Sequence, residues 1–158
     1  MNTGPGADLA ERIADAVRHA ADADAAMTAA VTMLEGERAA YTWVGIYLLF
    51  GDELVLGPFV GKPSPHTRIP LGRGICGAAA AEKATIVVDD VNADPRYLAC
   101  SLETRSEIVV PILAGGTVLG EIDIDSDLPA AFGADDRALI EHVAAALAGR
   151  MRAQDPNP

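Results

Sequence analysis

Apolar residues recur at helical spacing in three parts of the chain. Leu9, Ile13 and Val17 fall every four positions and predict an α-helix over residues 8–20, with Asp8 as its candidate N-cap. A second helix is predicted over about 26–36 and a third from residue 135 onward. Each of these patterns leaves the other side of the helix polar, so we expect all three helices to pack on one shared core.

The pattern changes to strict alternation at residues 41–50, which predicts a β-strand. Val44 and Ile46 point to one side of that strand, whereas Trp43 and Tyr47 point to the other. Further strands are predicted over residues 53–60, 85–88, 106–114 and 117–126, with a short helix after the glycines at 72–77 and loops over 61–68 and 89–105.

This order of elements predicts an α+β fold. Two antiparallel hairpins alternate with helices, which favours a single antiparallel sheet with helices packed mainly on one face. We expect one domain over residues 8–150, with flexible termini at 1–7 and 153–158.

The composition excludes several classes of function. The 158 residues include 12 basic and 23 acidic side chains, a net charge of −11, which disfavours binding to nucleic acid or to an anionic membrane. Neither a secretory signal nor an apolar run long enough to span a bilayer is evident, so a cytoplasmic protein is expected. In a reducing cytosol its two cysteines, Cys76 and Cys100, are packing, metal-binding or redox residues rather than a structural disulfide.

Alternation along EIDID places Glu121, Asp123 and Asp125 on one face of a strand, about 7 Å apart from one to the next. That face is either solvated or a pocket, and the low frequency of aspartate in strands favours a pocket. Neighbouring carboxylates raise one another's pKa, which suits a carboxylic acid that must donate a proton near neutral pH.

The aromatic face of strand 41–50 leaves a similar choice. Trp43 and Tyr47 flank Gly45, and they form either a second core or dimer surface, or the wall of a pocket for a methyl- or sulfur-bearing ligand.

Two other features of the sequence do not indicate a binding site. Gly72, Gly74 and Gly77 spell G-x-G-x-x-G, but a proline-rich loop precedes them instead of a buried parallel strand, so dinucleotide binding is disfavoured. The three histidines are scattered without ligand spacing, and no metal site is expected from them.

Taken together, seven segments closely resemble the free methionine-(R)-sulfoxide reductase family, a branch of the GAF domain fold. They are WVGIY (43–47), LGPF (56–59), GK (61–62), RIPLGRGICG (68–77), AC (99–100), SEIVVP (106–111) and DIDS (123–126). The resemblance covers about residues 8–148.

The resemblance implies a role for each matching residue. Cys100 matches the nucleophilic cysteine and Cys76 an accessory cysteine. The family's pocket carboxylates, which hold the substrate's ammonium group and sulfoxide oxygen, correspond to Glu107, Asp123 and Asp125, and its aromatic wall to Trp43 and Tyr47. It further implies no bound cofactor, reduction of the free amino acid through a Cys100 sulfenic acid, an external thioredoxin-type dithiol, and a homodimer.

One position departs from the family pattern. The loop after GK usually carries another cysteine, commonly the resolving thiol, but here His66 matches that position and the loop is one residue longer. Two routes therefore stay open: Cys76 resolves the Cys100 sulfenic acid, or an external thiol reduces it directly. A non-catalytic GAF module that binds a small ligand is the alternative function.

Overall fold

The computed structural model describes residues 5–98 and 101–153. Its helices are α1 (Pro5–His19), α2 (Ala23–Glu37), α3 (Gly74–Glu82) and α4 (Ala134–Ala148), and a single 3₁₀ turn covers Val91–Ala93. Its strands are β1 (Trp43–Phe50), β2 (Glu53–Val60), β3 (Arg68–Pro70), β4 (Ile86–Val88), β5 (Ser106–Ala114) and β6 (Thr117–Ser126).

One six-stranded antiparallel sheet contains all of these strands, in the order β3-β2-β1-β6-β5-β4. The two long hairpins, β1–β2 and β5–β6, are joined through β1 and β6 at the centre. The predicted α+β fold with a single antiparallel sheet is confirmed.

Most of the apolar core lies on one face of the sheet. The helices α1, α2 and α4 pack there, as their helical spacing predicts, and they cover the inward side chains of the central strands, such as Val44, Ile122 and Ile124. Burial of this many aliphatic side chains supplies the main stabilisation of the fold, at about 25 cal/mol per Å² of apolar surface.

The opposite face is covered by a single short helix, α3, which packs on β3, β5 and β6. A second, smaller cluster forms beneath it and includes Trp43, Tyr47, Ile75, Cys76 and Val109. The sheet therefore has two buried faces, and the second one contains the candidate site.

The element boundaries differ from the predicted ones in three places. The first helix begins at Pro5, three residues before Asp8, because proline is well tolerated in the first turn of a helix. The second begins at Ala23, since the Asp22 carboxylate accepts a hydrogen bond from the Ala25 backbone N–H (2.8 Å) and caps it. Strand β3 was missed, as three residues ending in proline carry no periodic signal.

Among the described residues, no helix combines the length and the apolar character that crossing a membrane requires.

Candidate functional site

Four acidic side chains are buried together on the α3 side of the sheet. Strand register explains why, because Asp125 pairs with both Trp43 on β1 and Glu107 on β5, while Asp123 pairs with Gly45. With Glu121, these acids point to the same face, and each is at most 4% exposed. The face of the EIDID segment that carries the acids is thus buried on the pocket side of the sheet and is not solvated.

These carboxyl groups influence one another. The interaction with Glu107 lowers the pKa of Asp123 and of Asp125, which partly offsets the effect of their burial. Within the described part of the chain, both oxygens of Glu121 and the Oδ1 atoms of Asp123 and Asp125 are buried without a hydrogen-bond partner. The cluster is left with acceptors that a positively charged or hydrogen-bonding ligand could satisfy.

Burial is the main cause of the raised pKa values of these carboxyl groups. Removal from water raises the pKa of Asp123, and raises the pKa values of Glu121 and Asp125 well above their ordinary range. The charge of Asp123 adds to the effect on Glu121 and Asp125. Protonated carboxylic acids are therefore available in this site at a pH where exposed carboxylates have lost their protons.

Cys76 reaches this cluster from the first turn of α3. Its thiol is buried, and the sulfur atom lies within 4.8 Å of a carboxyl oxygen of Glu107 and of Asp123. Burial raises the pKa of the thiol well above its ordinary value, and the negative charges of Asp123, Glu121 and Glu107 raise it further. These effects outweigh the thiolate-stabilising effect of the helix N-terminus at which Cys76 lies.

A small cavity of about 20 Å³ opens at this point. Its polar lining includes Cys76, Glu107 and Asp123, and its apolar wall includes Tyr47 and Leu98. Since a cavity of roughly 10–15 Å³ holds one water molecule, this one accepts a group of about that size, such as an ammonium group or a single ion.

A larger cavity of about 240 Å³ lies beside Trp43 and Asp125. Its lining residues are Thr42, Trp43, Lys62, Pro63, Ser64, Ser101, Leu102, Glu103, Thr104, Asp125 and Asp127. The volume is below the roughly 300–1,000 Å³ of pockets for drug-sized ligands and suits a metabolite about the size of an amino acid.

The predicted nucleophile, Cys100, lies outside the described residues. Its described neighbours in the chain lie at the two cavities, since Leu98 lines the small one and Ser101 the large one. Because the described residues do not include Cys100, its role as the nucleophile stays a prediction.

The aromatic side chains also anchor the loop that follows β2. The Trp43 indole donates a hydrogen bond from Nε1 to the Lys62 carbonyl (2.9 Å), and the Tyr47 hydroxyl donates to the His66 carbonyl (2.7 Å). Trp43 also stacks on Phe59, with ring centroids 5.7 Å apart. Both predicted wall residues are at the site, each at a different cavity.

The space above Gly45 is filled by the Trp43 ring and is not a gap between the Trp43 and Tyr47 rings. A Cβ atom added at Gly45 would lie 2.3 Å from the Trp43 ring, so the indole itself lies over the glycine. Glycine is needed there because any side chain would displace the ring from the cavity wall.

Six of the predicted site residues line the two cavities, namely Trp43, Tyr47, Cys76, Glu107, Asp123 and Asp125. Glu121 and Lys62 were not among the predicted site residues. Glu121 was placed on the correct face without a role, although its alternation with Asp123 was a usable signal. Lys62 was noted only as part of a motif, yet it is the one basic residue among those that line the larger cavity.

Comparisons with known proteins agree with the observed fold. The GAF domain family model matches residues 6–151. The protein named Free methionine-R-sulfoxide reductase from Escherichia coli is 40% identical over 105 residues, which cover 66% of this chain and 63% of that protein. The aligned part thus spans somewhat less than two thirds of that relative's length.

Solved structures match over more of the chain. The free methionine-R-sulfoxide reductase from Neisseria meningitidis, in complex with its substrate, is 37% identical with a TM-score of 0.86, covering 95% of this chain and 92% of that one. A putative GAF sensor protein from Burkholderia vietnamiensis is 38% identical with a TM-score of 0.86, covering 92% of each chain.

Proposed function

Because the chain belongs to the GAF domain family, as its sequence resemblance predicted, and buries an acid-lined pocket, we propose that it reduces free L-methionine-(R)-sulfoxide to methionine with a thiol reductant. The observation that carries this proposal is the group of buried acids, Glu107, Glu121, Asp123 and Asp125. The buried polar residues among those described include no lysine or arginine, so protons or a cationic ligand are suited to balance this negative charge.

The ammonium group of a free amino acid supplies such a charge. We assign it to the small cavity, against Glu107 and Asp123, where a group of its size fits. The remainder of the substrate then occupies the larger cavity, with its sulfoxide near Asp125 and Trp43 and its carboxylate toward Lys62. A methionine sulfoxide within a peptide lacks the ammonium group, which explains selection for the free amino acid.

The sulfoxide becomes electrophilic when its oxygen is protonated or hydrogen-bonded. Asp125 is suited to this step, because burial raises its pKa and keeps it protonated at higher pH than an exposed aspartate. The Cys100 thiol then attacks sulfur, and the oxygen is transferred so that methionine leaves and Cys100 becomes a sulfenic acid. One thiol next condenses with the sulfenic acid to a disulfide and water, and a second thiol restores Cys100.

Between the two routes for the resolving step, the surroundings of Cys76 favour an external thiol. The attacking species in disulfide chemistry is the thiolate, and burial beside three carboxyl groups raises the pKa of Cys76. Cys76 as the resolving cysteine stays the alternative. A thioredoxin-type dithiol, the absence of a bound cofactor, a homodimer and a cytoplasmic location belong to the same proposal.

The decisive experiment supplies thioredoxin, its reductase and NADPH, and adds each epimer of free methionine sulfoxide. NADPH consumption with the R epimer alone, lost in Cys100→Ser, supports the proposal. No turnover with any thiol donor, together with saturable ligand binding, overturns it in favour of a sensor. Mass spectrometry of the oxidised protein then tests the resolving step, since a Cys76–Cys100 disulfide supports the Cys76 route.

A further inference from the structure

The small cavity combines three features of a cation site. One ligand atom each from Cys76, Glu107 and Asp123 lies within 4.8 Å of the others, and all three side chains are buried. The cavity that they line holds about one water-sized group. Among the described residues, the Oδ1 atom of Asp123, a residue only 2% exposed, has no hydrogen-bond partner.

We propose that this cavity binds a thiophilic divalent cation of the zinc class, held by the Cys76 thiolate and the carboxylates of Glu107 and Asp123. Histidine spacing gave no reason to expect a metal, because the ligands come from a helix and two strands that are distant in sequence. A sulfur ligand favours Zn²⁺ or Cd²⁺ over Mg²⁺ and Ca²⁺, which prefer oxygen ligands alone.

The geometry needs only a small contraction to coordinate such an ion. Zinc lies about 2.3 Å from sulfur and about 2.0–2.2 Å from carboxylate oxygen, so two ligands of a tetrahedral site are roughly 3.3–3.7 Å apart. From separations within 4.8 Å, side-chain movements of at most about 1.5 Å close the site. A solvent water completes the fourth position.

Binding exchanges protons for the metal ion. The Cys76 thiol releases its proton to solvent as the metal–sulfur bond forms, any proton on the two coordinating carboxyl groups is also released, and no electron is transferred. The cation then offsets the negative charges of the Cys76 thiolate and of the Glu107 and Asp123 carboxylates.

The cation site rests on the geometry alone, and only its consequence for activity rests on the proposed function. Because Glu107 and Asp123 would hold either the cation or the substrate's ammonium group, we expect Zn²⁺ to raise KM for methionine sulfoxide and to leave kcat unchanged.

The test uses the full chain carrying Cys100→Ser, which leaves Cys76 as its only thiol, and Cd²⁺ as the probe. We expect an ultraviolet sulfur-to-cadmium charge-transfer band that saturates at one equivalent. Adding Cys76→Ser should abolish the band, and adding Glu107→Gln should weaken Cd²⁺ binding at least tenfold in calorimetry. Glu82→Gln, an exposed glutamate at the end of α3, is the matched control and should bind normally.

Absence of the band overturns the proposal. So does an unchanged affinity in Glu107→Gln, since it would show binding by the thiol alone; this variant keeps Cys76, so the test holds even where Cys76→Ser fails to fold. Cadmium binding as expected without reduction of either epimer refutes the proposed reductase and leaves the cation site standing, whereas turnover of the R epimer without cadmium binding does the reverse.

Discussion

The two faces of the sheet come from the same strands and differ in what they bury. On the face covered by α1, α2 and α4, the inward residues are almost uniformly apolar. On the face covered by α3, apolar residues surround four acidic side chains and a thiol. Adjacent residues of β6, such as Ile124 and Asp125, therefore belong to environments of opposite chemistry.

This difference separates stability from chemistry within single strands. Burying a carboxyl group without a salt-bridge partner destabilises the folded state, whereas burying an isoleucine stabilises it. The stabilisation from the extensive apolar core on one face offsets the cost of burying acids on the other. On that second face, the raised proton affinity of the acids suits them to proton donation. Substitutions at neighbouring positions should therefore affect different properties of the protein.

The largest effect is expected from Asp125→Asn. Loss of the proton donor should lower kcat/KM for the R sulfoxide by about 10²–10⁴-fold, and the melting temperature should not fall, because a neutral amide replaces a buried acid. Steady-state kinetics and thermal unfolding measure the two properties, with exposed Asp52→Asn as the control. A loss of stability that parallels the loss of activity would contradict the separation.

Ile124→Ala should show the opposite behaviour. The fully buried side chain leaves a cavity in the larger core, so the free energy of unfolding should fall by about 2–5 kcal/mol in denaturant titrations. The kcat/KM of the protein that remains folded should stay close to that of the parent. A loss of less than about 1 kcal/mol would show that this face is not the main source of stability.

Glu121→Gln should change the dependence of stability on pH. Burial raises the pKa of Glu121 in the folded state, so above about pH 4.3 the unfolded chain loses a proton that the folded chain keeps. The parent protein therefore loses stability as pH rises through this range, and the variant should lack the part of that loss that Glu121 causes.

The advantage of Glu121→Gln should therefore grow with pH and reach about 1 kcal/mol or more near pH 8. Urea titrations at several pH values measure it, and exposed Glu141→Gln serves as the control. A constant difference between variant and parent at every pH is the outcome that rejects this account.

The smallest effect is expected from Lys62→Met. The methionine keeps the length of the side chain and removes the charge proposed to face the substrate's carboxylate, an exposed interaction worth about 1 kcal/mol or less. KM should rise up to about fivefold with kcat unchanged. Added salt should raise the KM of the parent protein toward that of the variant. A change in kcat alone would exclude this role.

Alternation was enough to predict the faces of β1 and β6, because a period of two needs no knowledge of neighbouring strands. The resemblance identified Glu107, Asp123 and Asp125, and register then brought them together. The burial of Glu121 could not be read locally, since it depends on α3, a helix about 40 residues earlier in the chain. Similarly, the position of the Trp43 ring over Gly45 depends on a side-chain rotamer and on a loop carbonyl, neither of which a hydrophobic pattern encodes.

Trp43 is the chain's sole tryptophan, and its indole lies on the cavity wall while hydrogen-bonded to the loop at Lys62. Its fluorescence is therefore an intrinsic optical probe of this one location. Emission and quenching can follow ligand entry and loop movement in real time on the unlabelled protein, with no other tryptophan to subtract.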